Sequence, residues 1–300
     1  GIRRSLVAVT VAVSLLTACT STTEAPSDGR LHVVTTTTVF ADLVRQVGGD
    51  AVTVSSIVPP GGVVETFDPT PSDLRAVSEA DVIVMNGLGL DAWLTPVLQD
   101  GAATAPLVVL AEDLEGVTYQ SGDGPDEPAN PHLWLDVSYA MKYVERIVDA
   151  LVEADPANAD RYESGGNTYL ARLAALHQET RDRILRIPEP DRLIVSFHEA
   201  FPYFAAAYGL TIVGTLVDAP GQDPSAGEIA ALVDAIRVSG AKAVFGEAQF
   251  SPDLVETVAS EAGVVFETSL YNDSLGDPPV DTYEGLIQWD VDRVVEALGG

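Results

Sequence analysis

Four side chains, far apart along the chain, have the types and placement for one kind of chemistry. Glu65, His132, His198 and Asp273 each follow a stretch that reads as a β-strand. In open parallel sheets, ligands bind beyond the carboxyl ends of the strands, and two imidazoles with two carboxylates can complete a first-row divalent metal site. His132 stands in Asn130-Pro131-His132-Leu133-Trp134-Leu135-Asp136, where a proline stiffens the backbone and apolar neighbours back the ring. His198 ends Val195-Ser196-Phe197-His198, and Asp273 lies in Leu270-Tyr271-Asn272-Asp273-Ser274. Taken singly, each has a plain explanation. Glu65 reads as a solvated loop acid, Asp273 as a turn or cap residue, His132 as a packed histidine and His198 as a helix N-terminal residue. The joint placement favours a metal. His32 and His177, the other two of four histidines, lack it: the first reads as exposed, the second as part of a helix face. Asp68, Glu199 and Glu247 also lie near strand ends and are candidates to orient the imidazoles, with Glu247 a reserve ligand.

The elements that must position these groups alternate. Strands are expected at 31–36, 52–58, 81–85 and 107–110, with helices at 39–47, 71–79 and 91–98 between them. The alternation resumes at 193–197, with strands at 211–215, 241–246 and 264–268 and helices at 199–208, 225–239, 251–262 and 281–298. Strands alternating with helices at this spacing imply βαβ units and parallel sheets. Between the sets, a helix at 137–153 is followed by apolar residues Tyr162, Tyr169, Leu173, Leu176, Ile184 and Ile187 at helical spacing. They predict one helix of about 30 residues, ~45 Å long, in which Gly165-Gly166 marks a bend and which serves as a strut rather than a core element. The expected fold is α/β: two similar lobes, each a mostly parallel four-stranded sheet with flanking helices, joined by one long rigid helix. The expected divisions are an N-terminal lobe at 31–156, a linking helix at 157–187 and a C-terminal lobe at 188–300.

The net charge of −29 argues against nucleic acid, whose phosphates require Lys and Arg, and it draws cations toward clefts. The single cysteine excludes an intrachain disulfide. Its setting points to the membrane: Arg3 and Arg4 precede an apolar run at 6–16, and Leu16-Thr17-Ala18-Cys19 resembles a bacterial lipobox. Residues 1–19 are then a lipoprotein signal peptide, Cys19 is the lipidated anchor, and residues 20–30 are a polar tether.

Six segments carry a wider resemblance: Phe40-Ala41-Asp42-Leu43-Val44, Phe67-Asp68-Pro69-Thr70-Pro71-Ser72-Asp73, Asn86-Gly87-Leu88-Gly89-Leu90, Pro131-His132-Leu133-Trp134-Leu135-Asp136, Phe197-His198-Glu199-Ala200-Phe201 and Asp273-Ser274-Leu275-Gly276. In this order they resemble the metal-binding receptor lipoproteins of zinc and manganese ABC importers. The resemblance implies an extracytoplasmic, lipid-anchored, monomeric receptor that hands a divalent metal to a membrane permease and catalyses nothing. It places His132, His198 and Asp273 at three of four ligand positions. At the fourth, where the family usually has His, this chain has Glu65. The loop before the second ligand, Gln120-Ser121-Gly122-Asp123-Gly124-Pro125-Asp126-Glu127, lacks the histidines of many zinc-type members. Two carboxylates suit manganese, whereas zinc tolerates the same donors and binds more tightly; zinc is preferred slightly. A metal-dependent hydrolase and a surface adhesin with a structural metal are the competing readings.

Overall fold

The computed structural model describes residues 29–99, 104–120 and 129–299. The signal peptide, Cys19, the tether up to residue 28 and the acidic loop at 121–127 lie outside the described residues.

The first lobe holds β1 (Leu31–Thr35), α1 (Thr38–Gly48), β2 (Val52–Ser56), α2 (Pro71–Ser78), β3 (Val82–Met85), α3 (Thr95–Gln99) and β4 (Leu107–Val109). Its four strands form one parallel sheet in the order β2-β1-β3-β4, with Leu31 opposite Val52, Val33 opposite Val82 and Ile83 opposite Leu107. Thr70 and Asp73 form a reciprocal cap at the start of α2, with Pro71 in its first turn. This is where an orphan-donor end needs side-chain acceptors and a proline is tolerated.

Two helices follow, α4 (Val137–Ala154) and α5 (Ala159–Ile184). The second lobe holds β5 (Leu193–Ser196), α6 (Pro202–Tyr208), β6 (Thr211–Thr215), α7 (Ala226–Ser239), β7 (Ala243–Glu247), α8 (Asp253–Ala262), β8 (Val265–Leu270) and α9 (Tyr283–Leu298). Its strands pair in parallel as β5-β6 and β7-β8, and β5 packs beside β7. The spatial order β6-β5-β7-β8 repeats that of the first lobe. Both ladders shift register, the first between Ile194 and Val195 and the second between Phe245 and Glu247. Such irregularities re-aim side chains at strand ends.

Three differences from the sequence reading have local causes. The helix expected at 199–208 begins only at Pro202, because residues ahead of a proline are biased away from helical geometry. Residues 92–94 form a 3-10 turn ahead of α3 rather than a continuous helix. The helix expected from 251 begins at Asp253, with Ser251 Oγ accepting from the Asp253 amide at 3.4 Å.

The interior has three layers of apolar packing. A small cluster around Val34, Ile83 and Met85 lies under α2 and α3, and another around Val195, Val244 and Ile236 lies under α7 and α8. Between the sheets, a larger core runs unbroken from Val33 and Phe40 through Trp134, Tyr143 and Tyr169 to Phe204, Phe245 and Leu286. α5 belongs to that core: Tyr162, Tyr169, Leu173, Leu176 and Ile184 are buried along one face, so it is more than a strut. It is also unbroken at Gly165-Gly166. A Cβ on Gly165 would lie 2.2 Å from the Val47 carbonyl oxygen at the end of α1, and one on Gly166 would lie 2.3 Å from Val148 Cγ2 on α4. These glycines permit close helix approach. Among the described residues no helix is long and apolar enough to cross a membrane.

Candidate metal centre

All four sequence-selected residues meet at the carboxyl ends of the strands, between the lobes. Glu65 comes from the loop after β2, held near Trp93, whose indole donates to the Val64 carbonyl at 3.0 Å. His132 precedes a 3-10 turn at Leu133–Leu135 that leads into α4. His198 follows β5 and Asp273 follows β8. One donor atom from each of the four lies within 4.8 Å of the others.

His132 Nε2 is 3.3 Å from Asp273 Oδ1 and 3.5 Å from Glu65 Oε1. His198 Nε2 is 3.3 Å from His132 Nε2 and 3.8 Å from Glu65 Oε1. Donors on a tetrahedron around an ion with bonds of ~2.1 Å would be about 3.4 Å apart, so these separations suit one ion. His132, His198 and Asp273 are buried, and the Glu65 side chain is 18% exposed. Glu65 faces a cavity of about 570 Å³ between the lobes, also lined by Leu88, Asn130, Glu199 and Asp218.

The other nitrogen of each imidazole is already committed. His198 Nδ1 donates to Glu247 Oε2 at 2.6 Å, and the His198 amide donates to Glu247 Oε1 at 3.1 Å. His132 Nδ1 donates to Asn130 Oδ1 at 3.0 Å, an oxygen that also accepts from the His132 amide. The Asn130 amide group is oriented by its own donation to the Glu199 carbonyl at 2.5 Å. With both Nδ1 atoms protonated, the neutral rings would point two Nε2 lone pairs at each other. Only a cation or a proton between them makes that arrangement favourable.

The carboxylates carry the same signature. Among the described residues, Glu65 Oε2 and Asp273 Oδ1 are buried and make no hydrogen bond, a costly state for such atoms. Burial would push His132 down, but Asp273 and Glu65 outweigh it and raise the imidazole to about 10. Burial also opposes charge on His198, which is nonetheless raised, chiefly by Glu247. Burial and the charge of Glu65 push Asp273 up. Glu65 feels burial as well, yet His132 and His198 draw it below the usual carboxylate range. Protons therefore hold the cluster together where no cation does.

The lesser candidates separate. Glu247 orients His198 rather than joining the four donors. Glu199 lines the cavity, while Asp68 is exposed outside the cluster. His32 is half-buried, with Nε2 3.5 Å from Ser55 Oγ, and His177 Nδ1 lies 3.2 Å from the Tyr208 hydroxyl. Sequence reasoning missed Asn130, Gln249 and Asn272. Their available signal is a carboxamide one or two residues from a candidate ligand, since a buried amide group must find partners for both its ends.

Residues 33–297 match the family described as the zinc-uptake complex component A, periplasmic. The chain belongs to this family. Among its relatives, the manganese-binding lipoprotein MntA of Halalkalibacterium halodurans is 34% identical over 270 residues, 89% of this chain and 88% of that protein. The iron ABC transporter substrate-binding lipoprotein MtsA of Streptococcus pyogenes is 30% identical over 307 residues, 99% of each. Among solved structures, the periplasmic zinc binding protein TroA from Treponema pallidum superposes with a TM-score of 0.85 at 25% identity, covering 90% of this chain and 99% of that one. These relatives of the zinc-uptake component A family are named as binding and transport proteins, not as enzymes. The two-lobe α/β architecture agrees with membership.

Proposed function

We propose that this chain is an extracytoplasmic, lipid-anchored receptor that captures a divalent transition metal through Glu65, His132, His198 and Asp273 and delivers it to the permease of an ABC importer. The observation that carries the reading is the facing pair of Nε2 atoms, 3.3 Å apart, with Asp273 Oδ1 3.3 Å and Glu65 Oε1 3.5 Å from that of His132. The four side chains supply at least four protein donors, as in sites that hold an ion without reacting it. The relatives' names supply the transport context: an ABC transporter substrate-binding lipoprotein for MtsA and a manganese-binding lipoprotein for MntA. Cys19 would carry the anchor and the tether up to residue 30 would set the distance from the membrane. The receptor acts as a monomer with lobes at 31–156 and 188–300 and a linking helix at 157–187.

For the cargo, the sequence alone leans to zinc. The buried, donorless Glu65 Oε2 supports a second contact from the same carboxylate, and five or more donors rich in oxygen suit manganese or iron(II). The names of MntA and MtsA lean the same way. Manganese or iron(II) is therefore the cargo in this reading, with zinc the tighter-binding competitor. Elemental analysis of protein purified without added metal, then titration of stripped protein with Mn²⁺, anaerobic Fe²⁺ and Zn²⁺, tests it. One metal per chain is expected, abolished or greatly weakened by His132→Ala. Absence of binding by any of the three ions overturns the function.

A further inference from the structure

We propose that Asn272 is the positioning residue that makes ligands from the two lobes act as one site; this rests on the metal-capture reading above. Asn272 is completely buried and ligates nothing itself. Its Nδ2 donates to Glu247 Oε2 at 2.7 Å, the same oxygen that receives His198 Nδ1 at 2.6 Å. Its Oδ1 accepts from the Asp273 amide at 2.6 Å and from Gln249 Nε2. Its carbonyl accepts from the Trp134 indole at 2.9 Å, and the Trp134 ring packs against His132 with centroids 5.2 Å apart.

Asn272 thus reaches three of the four donors by three routes. It steadies the carboxylate that orients His198. It fixes the backbone of Asp273. Across the lobe boundary, it anchors the tryptophan two residues beyond His132. A carboxamide suits this post because it offers a donor at one end and an acceptor at the other without adding charge. An aspartate there would set a second anion against Glu247. Gln249 Nε2, 3.4 Å from Asp273 Oδ2, lies on the same network. Ring orientation and ligand basicity are set by such outer partners, so the network decides how far the ligands can drift when the ion leaves.

The test is equilibrium titration with Mn²⁺ and Zn²⁺ of the parent, Asn272→Ala, Glu247→Gln and their double variant. Trp134→Phe is added because it deletes the indole N–H and keeps a ring in the core. Melting of each metal-stripped protein reads the cost to the fold separately. Asn272→Ala is expected to weaken affinity about tenfold and Trp134→Phe about threefold. The double variant should fall within about twofold of the weaker single, because both changes cut one hydrogen-bonded chain. The visible d–d bands of the Co²⁺-loaded protein should change in Asn272→Ala, since they report donor geometry, which a packing role alone would leave alone. Parent-like affinity and Co²⁺ spectrum in Asn272→Ala overturn the proposal, as do additive losses in the double variant. If Asn272→Ala does not fold, parent-like affinity in Trp134→Phe overturns it. A parent that binds no transition metal is a different failure, that of the function itself.

Discussion

His132 and His198 face each other through Nε2 atoms 3.3 Å apart, while their Nδ1 atoms are held from behind by Asn130 and Glu247. One imidazole belongs to each lobe, so the contact ties ion capture to the boundary between them. The same boundary is stitched at Gly61, whose amide donates to Ser274 Oγ at 2.7 Å, and at Thr38, whose hydroxyl accepts from the Leu275 amide at 2.8 Å. Together with the shared core, these bonds oppose wide separation of the lobes.

Metal affinity should rise with pH. His132 is raised to about 10 by Asp273 and Glu65 against the opposing effect of burial, so the metal-free site is protonated throughout the neutral range. The ion must displace that proton. Apparent affinity should increase about tenfold per pH unit for each proton displaced, up to about pH 10. Calorimetric titration in buffers of different ionisation enthalpy counts the released protons; affinity that does not change between about pH 6 and pH 8 would count against the cluster.

Glu65 should set ion preference. Glu65→Ala and His132→Ala are each expected to weaken binding at least about tenfold without unfolding the chain. Glu65→His replaces an oxygen donor with a nitrogen donor and should cost manganese about tenfold or more while sparing zinc. Competition titration measures the ratio of the two affinities. An unchanged ratio in Glu65→His would show that the position does not select.

Removing the metal should leave both lobes folded. The unbroken core from Val33 to Leu286 is held by apolar packing. Ion binding then adds stability only by mass action, about 2.7 kcal/mol at a hundredfold excess over Kd. Circular dichroism and calorimetry with and without chelator check this. A chain that loses its tertiary signal in chelator would instead have a structural ion.

Gly165→Ala should lower Tm and leave metal affinity unchanged. Its Cβ would lie 2.2 Å from the backbone oxygen of Val47, which cannot rotate away as a side chain could. Forcing α1 from α5 is expected to cost about 1–3 kcal/mol. A variant melting with the parent would show that the helices part freely.

The strand–helix alternation and the four candidate donors were legible because each leaves a local mark: a periodicity, a cap, or a polar residue ending an apolar run. Pro202, which delays α6, and Gly165, which lets α1 approach α5, were harder to read, since their effects depend on neighbours outside the segment. Glu247 could be named only as a partner or a reserve ligand. Its role became clear once the fold put both its oxygens against His198. Asn272 left no periodic signal at all.

By itself, the sequence determined the chemical types available, two imidazoles and two carboxylates, and the order of elements that carry them. The tertiary structure alone decided that these donors lie within 4.8 Å, that both histidines turn Nε2 inward, and that Asn272 connects Glu247, Asp273 and Trp134. Local propensities act over a few residues, whereas Trp134 and Asn272 are 138 residues apart. Contacts at that range exist only after the intervening sheets and helices have packed.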